Sequence, residues 1–220
     1  MVAGALDAKA LKAKHRLARE AQSTDLATRI HRAISWLARA ETETDDPDAR
    51  FLFLWIGLNA AYAQEFGFEE SERVQSGQFI DRVLSLDDAG RLQDAVFRQF
   101  SGPIRTLVEN KYVFEPFWRA LREHDSSDNW EARFARSRED ALRAVMDRQT
   151  AKVLSVVLDR LHVLRNQLVH GGATWNSAAN RAQVRDGAAI LMTVLPIIIE
   201  LMMASAAEQF GAIAYPNLPS

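Results

Sequence analysis

Residues 154–172 read LSVVLDRLHVLRNQLVHGG. Leu154, Val157, Leu161, Leu164 and Leu168 step by threes and fours, which lays one apolar stripe along an α-helix. A strand cannot use this spacing, because its side chains alternate with a period of two. Gly171 then suits the left-handed position just past a helix end. The stretch is helical, and the same periodicity recurs along the chain.

Upstream, RFLFLWIGLNAAYAQEF at 50–66 is apolar almost all round, the pattern of a central buried helix, and Pro47 after Asp46 is its natural opening. Trp55 and Tyr62 belong to that core. Ser23-Thr24-Asp25 offers a cap to a helix carrying Leu26, Ile30, Ile34 and Leu37. Residues 6–20 form a basic helix whose Lys9, Lys12, Lys14, Arg16 and Arg19 read as a solvated face. Between 67 and 128 the pattern predicts shorter helices, broken at Ser76-Gly77, Asp87-Asp88, Gly102-Pro103, Glu115-Pro116 and the DSSD turn at 125–128. A long helical region follows from Asn129 to His170, interrupted near Thr150, so that the helix of interest covers about 150–170. A last helix is expected from about 177 to 209. No period-2 run and no Asn-Gly turn occurs. These readings predict one all-α domain over 1–220, an antiparallel helical bundle with extra helices inserted between its early and late members.

Composition narrows the function. With 220 residues, 48% of them hydrophobic, the chain can bury a real core. A formal net charge of −2 gives no global basic field, so any nucleic-acid contact has to come from a local patch. The absence of cysteine excludes disulfides, thiolate metal sites and a thiol nucleophile. The histidines show no ligand spacing, so neither a metal nor another cofactor is expected. The N-terminal MVAGALDAKALKAKHRLARE lacks the apolar run of a secretory signal, and a cytoplasmic protein is expected. Residues 187–207, GAAILMTVLPIIIELMMASAA, are long enough to span a bilayer, but Glu200 lies within them and Pro196 interrupts their hydrogen-bond ladder. The centre of a helical bundle asks for the same composition, so no membrane is expected.

Within the 150–170 helix, Asn166 and His170 are i, i+4 neighbours on the face away from the apolar stripe. His162 extends their row by one turn, and Arg165 lies at the stripe's edge. An ordinary helix terminus accounts for each of these residues separately, since arginine, histidine and glycine all favour helix ends. A bare Arg-x4-His also recurs by chance. Arg119 and His124 in RALREH form a second copy, most simply a charged surface face. The context of the first copy distinguishes it, a helix ending RNQLVHGG in a chain that also holds a very apolar helix.

RNQLVHGG resembles the Arg-x4–6-His signature of the HEPN superfamily, in the variant with a polar residue after the arginine and glycine after the histidine. RFLFLWIGLNAAYA resembles the upstream helix of the ApeA-like HEPN proteins, and the two stretches together cover about 25 residues. The resemblance implies an HEPN-like bundle and a metal-independent endoribonuclease, with Arg165 and His170 as catalytic pair and Asn166 as their polar companion. It implies RNA as substrate, a homodimer, and a role in defence or as a toxin, with a protein antitoxin or other partner. Its alternative is a non-catalytic HEPN module that binds a protein partner or a nucleotide. Asn59, in the apolar helix, and His162 are secondary candidates.

The residue types suit that chemistry. Cleaving RNA without metal uses the ribose 2′-OH as an internal nucleophile. Histidine can move protons near neutral pH, and arginine offers a charged fork to phosphate oxygens. Five residues turn an ideal helix by about 500°, so Arg165 and His170 point about 140° apart. A two-fold mate would bring the missing side chain across a shared cleft.

Overall fold

The computed structural model describes residues 6–63, 72–124, 129–178, 180–205 and 210–216. Among these residues there are ten α-helices and no β-strand, so the fold is an all-α helical bundle. In chain order the helices are α1 (Ala8–Ala18), α2 (Thr24–Glu41), α3 (Pro47–Tyr62), α4 (Glu72–Leu84), α5 (Arg91–Asp94), α6 (Ser101–Glu109), α7 (Glu115–Glu123), α8 (Trp130–Met146), α9 (Thr150–Val169) and α10 (Arg181–Met203). The chain divides into two compact units, Met1–Arg91 with Ala188–Ser220, and Leu92–Gly187.

In the first unit the helix starts follow local sequence. The Asp7 side chain accepts from the Ala10 N–H, and the Ser23 hydroxyl accepts from the Leu26 N–H at 3.2 Å. Asp46 caps α3 through the N–H groups of Asp48 and Ala49, and Pro47 fills the first position, where an N–H would have no partner. The expected stripe of α2, Leu26, Ile30, Ile34 and Leu37, is buried, together with Ala33. It packs on α3, whose Phe51, Leu54, Trp55, Leu58 and Tyr62 are also buried. Residues 64–66, expected to continue α3, lie outside the described residues.

Helix α4 runs through Ser76-Gly77, where the sequence predicts a break. An interior glycine costs only about 1 kcal/mol relative to alanine, and burial of Phe79, Ile80 and Val83 outweighs it. The expected break at Asp87-Asp88 is a turn after α4. From Ala188 onward, α10 contributes Leu191, Leu195, Ile199 and Met202 to the buried interior. It is long and apolar enough to cross a membrane, and 67% of its most apolar window is buried inside the protein. Glu200 is paired with both Lys14 and Arg91.

The side chain of Arg29 ties this unit together. It is buried and donates to the carbonyls of Ala61 at 3.1 Å and Ala63 at 2.7 Å, at the end of α3. It also reaches those of Phe210 at 3.2 Å and Ala212 at 3.1 Å in the C-terminal segment. Burial pulls its pKa down to about 10.

In the second unit α5 leads into a π-helical turn, Ala95–Gln99, which no feature of the sequence foretold. Gly102-Pro103 and Glu115-Pro116 mark the first turns of α6 and α7, where proline is tolerated. The long region splits into α8 and α9 at Arg148, which is left-handed with φ 54°. His124, after α7, is left-handed as well, and the DSSD stretch at 125–128 lies outside the described residues. The last helix begins at Arg181 rather than near 177. Asn176 and Asn180 both have φ 56°, a conformation that a right-handed helix cannot include. This last helix ends at Met203, short of the expected 209, with Ala204 and Ser205 already outside the helix, and 206–209 lie outside the described residues.

Candidate functional site

The helix α9 presents the candidate residues from a rigid base. Val153, Leu154, Val157, Leu161, Val163 and Leu164 are buried. Between them Arg160 is buried too, its guanidinium 4.5 Å from the centre of the Phe114 ring and 5.8 Å from that of Phe134. It donates to the Ser137 hydroxyl of α8 at 3.0 Å. Nothing in the apolar spacing marks Arg160 as a buried cation. Two aromatic side chains far along the chain make its position tolerable.

The helix ends where RNQLVHGG predicts. His170 is the last half-helical residue, and its N–H reaches the Asn166 carbonyl at 3.0 Å. Gly171 has φ 70°, which costs glycine little and other residues much. The chain then folds back so that the Ala173 N–H meets the Gln167 carbonyl at 3.2 Å. Here Gly172 lies so close that a Cβ on it would stand 3.3 Å from that carbonyl oxygen. Both glycines therefore have a backbone reason to be there.

Arg165 is half-buried, and its guanidinium lies 3.5 Å from Nδ1 of His162, one turn earlier. Asn166 is half-buried, and His170 is exposed at the helix end. The structure thus brings Arg165 to His162, while His170 presents its ring to solvent. Arg119 is half-buried on α7 and His124 is exposed after it. Asn59 lies on α3 in the first unit, and its buried side-chain oxygen has no hydrogen-bond partner among the described residues.

A set of amides that the spacing did not single out holds this terminus. Gln167 donates to the Tyr112 carbonyl at 2.5 Å and accepts from the Asn180 amide at 2.7 Å. Asn110 reaches Asn180 at 3.4 Å and caps the 3-10 turn Lys111–Val113 by accepting the Tyr112 N–H at 2.8 Å. The one sequence signal was residue type, since asparagine tolerates the left-handed conformation that Asn180 adopts. An exposed imidazole can exchange protons with solvent or substrate. A half-buried guanidinium five residues earlier can donate to phosphate oxygens. Among the described residues no three His, Cys, Asp or Glu side chains are grouped to hold a metal ion. The chain matches no protein-family model, no curated protein and no solved structure.

Proposed function

We propose that the chain is a metal-independent endoribonuclease of HEPN type, with Arg165 and His170 as catalytic pair and Asn166 as their polar companion. The observation that carries this reading is the end of α9, where an exposed His170 closes a buried-backed helix whose previous turn holds Arg165 and Asn166. In the proposed reaction an imidazole takes the ribose 2′-OH proton, the 2′-oxygen attacks the adjacent phosphorus, and the 5′-oxygen leaves with a proton from an acid. Arg165 stabilises the charge that gathers on the phosphate oxygens. Base and acid come from the two His170 copies of a homodimer, which also relieves the divergence of Arg165 and His170 along one helix. His162 positions the Arg165 guanidinium through the contact at 3.5 Å. The proposed setting is cytoplasmic, in defence or as a toxin held by a protein partner, with the apolar α10 serving as core rather than membrane anchor.

The test is incubation of purified protein with mixed RNAs in EDTA, followed by end-group analysis. The expected products carry 2′,3′-cyclic phosphates, and DNA of the same sequence stays intact because it lacks the attacking hydroxyl. One observation favours the alternative of a non-catalytic HEPN module that binds a protein partner or nucleotide. Gly171 and Gly172 are both explained by helix termination alone. Wild-type protein that leaves every RNA uncut decides for that alternative.

A further inference from the structure

Beside the end of α9 lies an aromatic group that the proposed chemistry does not use. The Phe117 ring meets Tyr112, Trp118 and Trp130 edge-on, with centroids 5.4, 5.2 and 5.0 Å away. The Lys111 ammonium stands 5.4 Å from the Tyr112 ring centre, 5.6 Å from Phe117 and 5.9 Å from Trp130. Phe117, Trp118 and Trp130 are half-buried and form the base of the group, whereas Tyr112 is 47% exposed. The Tyr112 backbone is held from both sides, its carbonyl accepting from Trp118 Nε1 at 2.8 Å and from Gln167. Its ring is therefore a presented surface on a fixed mount. Trp175 follows His170 by five residues and is 74% exposed.

We propose that Tyr112 and Trp175 are stacking platforms for bases of single-stranded RNA flanking the scissile phosphate, with Lys111 drawing in the backbone between them. The proposal rests on the ribonuclease reading and adds to it the form of substrate and how it is held. Three observations favour single-stranded RNA over a protein segment. The exposed groups are flat rings rather than an aliphatic groove. A cation, Lys111, sits over one of them, the Tyr112 ring, and that pairing suits stacked bases joined by phosphates. Both rings also lie within reach of His170. Gln167, bonded to Tyr112, is one turn before His170, and five residues of chain span at most about 18 Å to Trp175. A duplex hides its base faces, so the platform selects unpaired strands. It also places the sequence-independent part of recognition in a local patch, as a chain of net charge −2 requires.

The experiment uses the full chain carrying His170→Ala, so that a short fluorescent single-stranded RNA survives while its anisotropy is read in EDTA. This parent should bind the RNA. Adding Trp175→Ala or Tyr112→Ala should weaken binding about five- to a hundred-fold each, the usual loss for one stacked base. Tyr112→Phe should keep it within about two-fold, because stacking needs the ring and not the hydroxyl. Trp175 lies in a loop and is mostly exposed, so its replacement tests the idea even if Tyr112→Ala disturbs the Phe117 cluster. A parent that binds no RNA, or alanine variants that bind like the parent, overturn the platform. Cleavage by the wild type separates the two ideas. RNA that is cut equally well by Trp175→Ala and Tyr112→Ala protein, below saturation, sinks the platform alone. RNA that is bound through both rings and never cut sinks the nuclease alone.

Discussion

The side-chain amide of Gln167 donates to the Tyr112 carbonyl at 2.5 Å, across 55 positions of sequence. Through this bond the last turn of α9 and the 3-10 turn that presents Tyr112 share one anchor. Asn180 completes it from the start of the segment leading into α10.

Replacing Gln167 with leucine removes both bonds and leaves the Tyr112 carbonyl to Trp118 alone. The expected loss of stability is about 1–2 kcal/mol, read from the urea midpoint at unchanged slope. Amide exchange near 168–173 should speed up at the same time, because the reversal after Gly171 loses its tether. An unchanged midpoint would show that the network is solvent-replaceable.

Removing the proton carrier with His170→Ala should lower RNA cleavage by about 10²–10⁴. Arg165→Lys should recover little of the loss caused by Arg165→Ala, because an ammonium does not reproduce the guanidinium fork. The second Arg-x4-His pair supplies the control: Arg119→Ala and His124→Ala are expected to leave the rate nearly unchanged. Equal rates for the 165, 170 and control variants would remove the catalytic assignment.

A composite site demands two copies. Sedimentation at micromolar concentration should find a dimer. Adding excess His170→Ala protein to wild type should lower cleavage by more than dilution alone, since every mixed dimer lacks one of the two His170 imidazoles that the composite site uses. A monomer that still cuts at full rate contradicts this geometry.

Arg29 donates to five carbonyls from two chain segments, so Arg29→Met leaves buried acceptors without a donor. The expected cost is about 3–5 kcal/mol, and Arg29→Lys should restore only a fraction of it. Limited proteolysis should then cut the C-terminal segment first. A variant as stable and as resistant as wild type would remove the clamp.

Buried His15 and half-buried Glu200 predict acid sensitivity that sets in at different pH values. Burial, then the charges of His31 and Arg19, hold the His15 imidazole below its usual 6.5. The unfolded chain therefore binds a proton below pH 6.5 that the folded chain refuses. Stability is complete above that value and falls as pH drops from it toward the lower folded value. Burial alone would raise the Glu200 carboxyl. The hydrogen bonds and charges of Lys14 and Arg91 outweigh it and hold the group below its usual 4.5. Its contribution is present above 4.5 and is lost as pH falls through the folded value. His15→Leu should flatten the first window and Glu200→Gln the second, in melting temperature followed against pH. Profiles parallel to wild type would discard both assignments.

The helices α2, α3 and α9 were legible in the sequence because their causes are local. Ser23, Asp46 and Pro47 act on N–H groups within three residues, and the Leu154–Leu168 stripe needs only the pitch of one helix. The left-handed Gly171 belongs to the same class. Where local signals compete with distant burial they mislead. Ser76-Gly77 looks like a break, yet the packing of Phe79, Ile80 and Val83 keeps α4 whole. The chain from 177 to 180 has helix-compatible composition, but Asn180 turns left-handed, with its side chain bonded to Gln167.

For the candidate site, the sequence supplied residue types and their order along one helix, and tertiary structure decided their company. That Arg160 could be buried on α9 depended on Phe114 and Phe134, and the hold on Gln167 depended on Tyr112. Such contacts join residues whose separation along the chain carries no periodic signal. Their free energy arises only when the helices pack and water leaves, which is why spacing along the chain could not announce them.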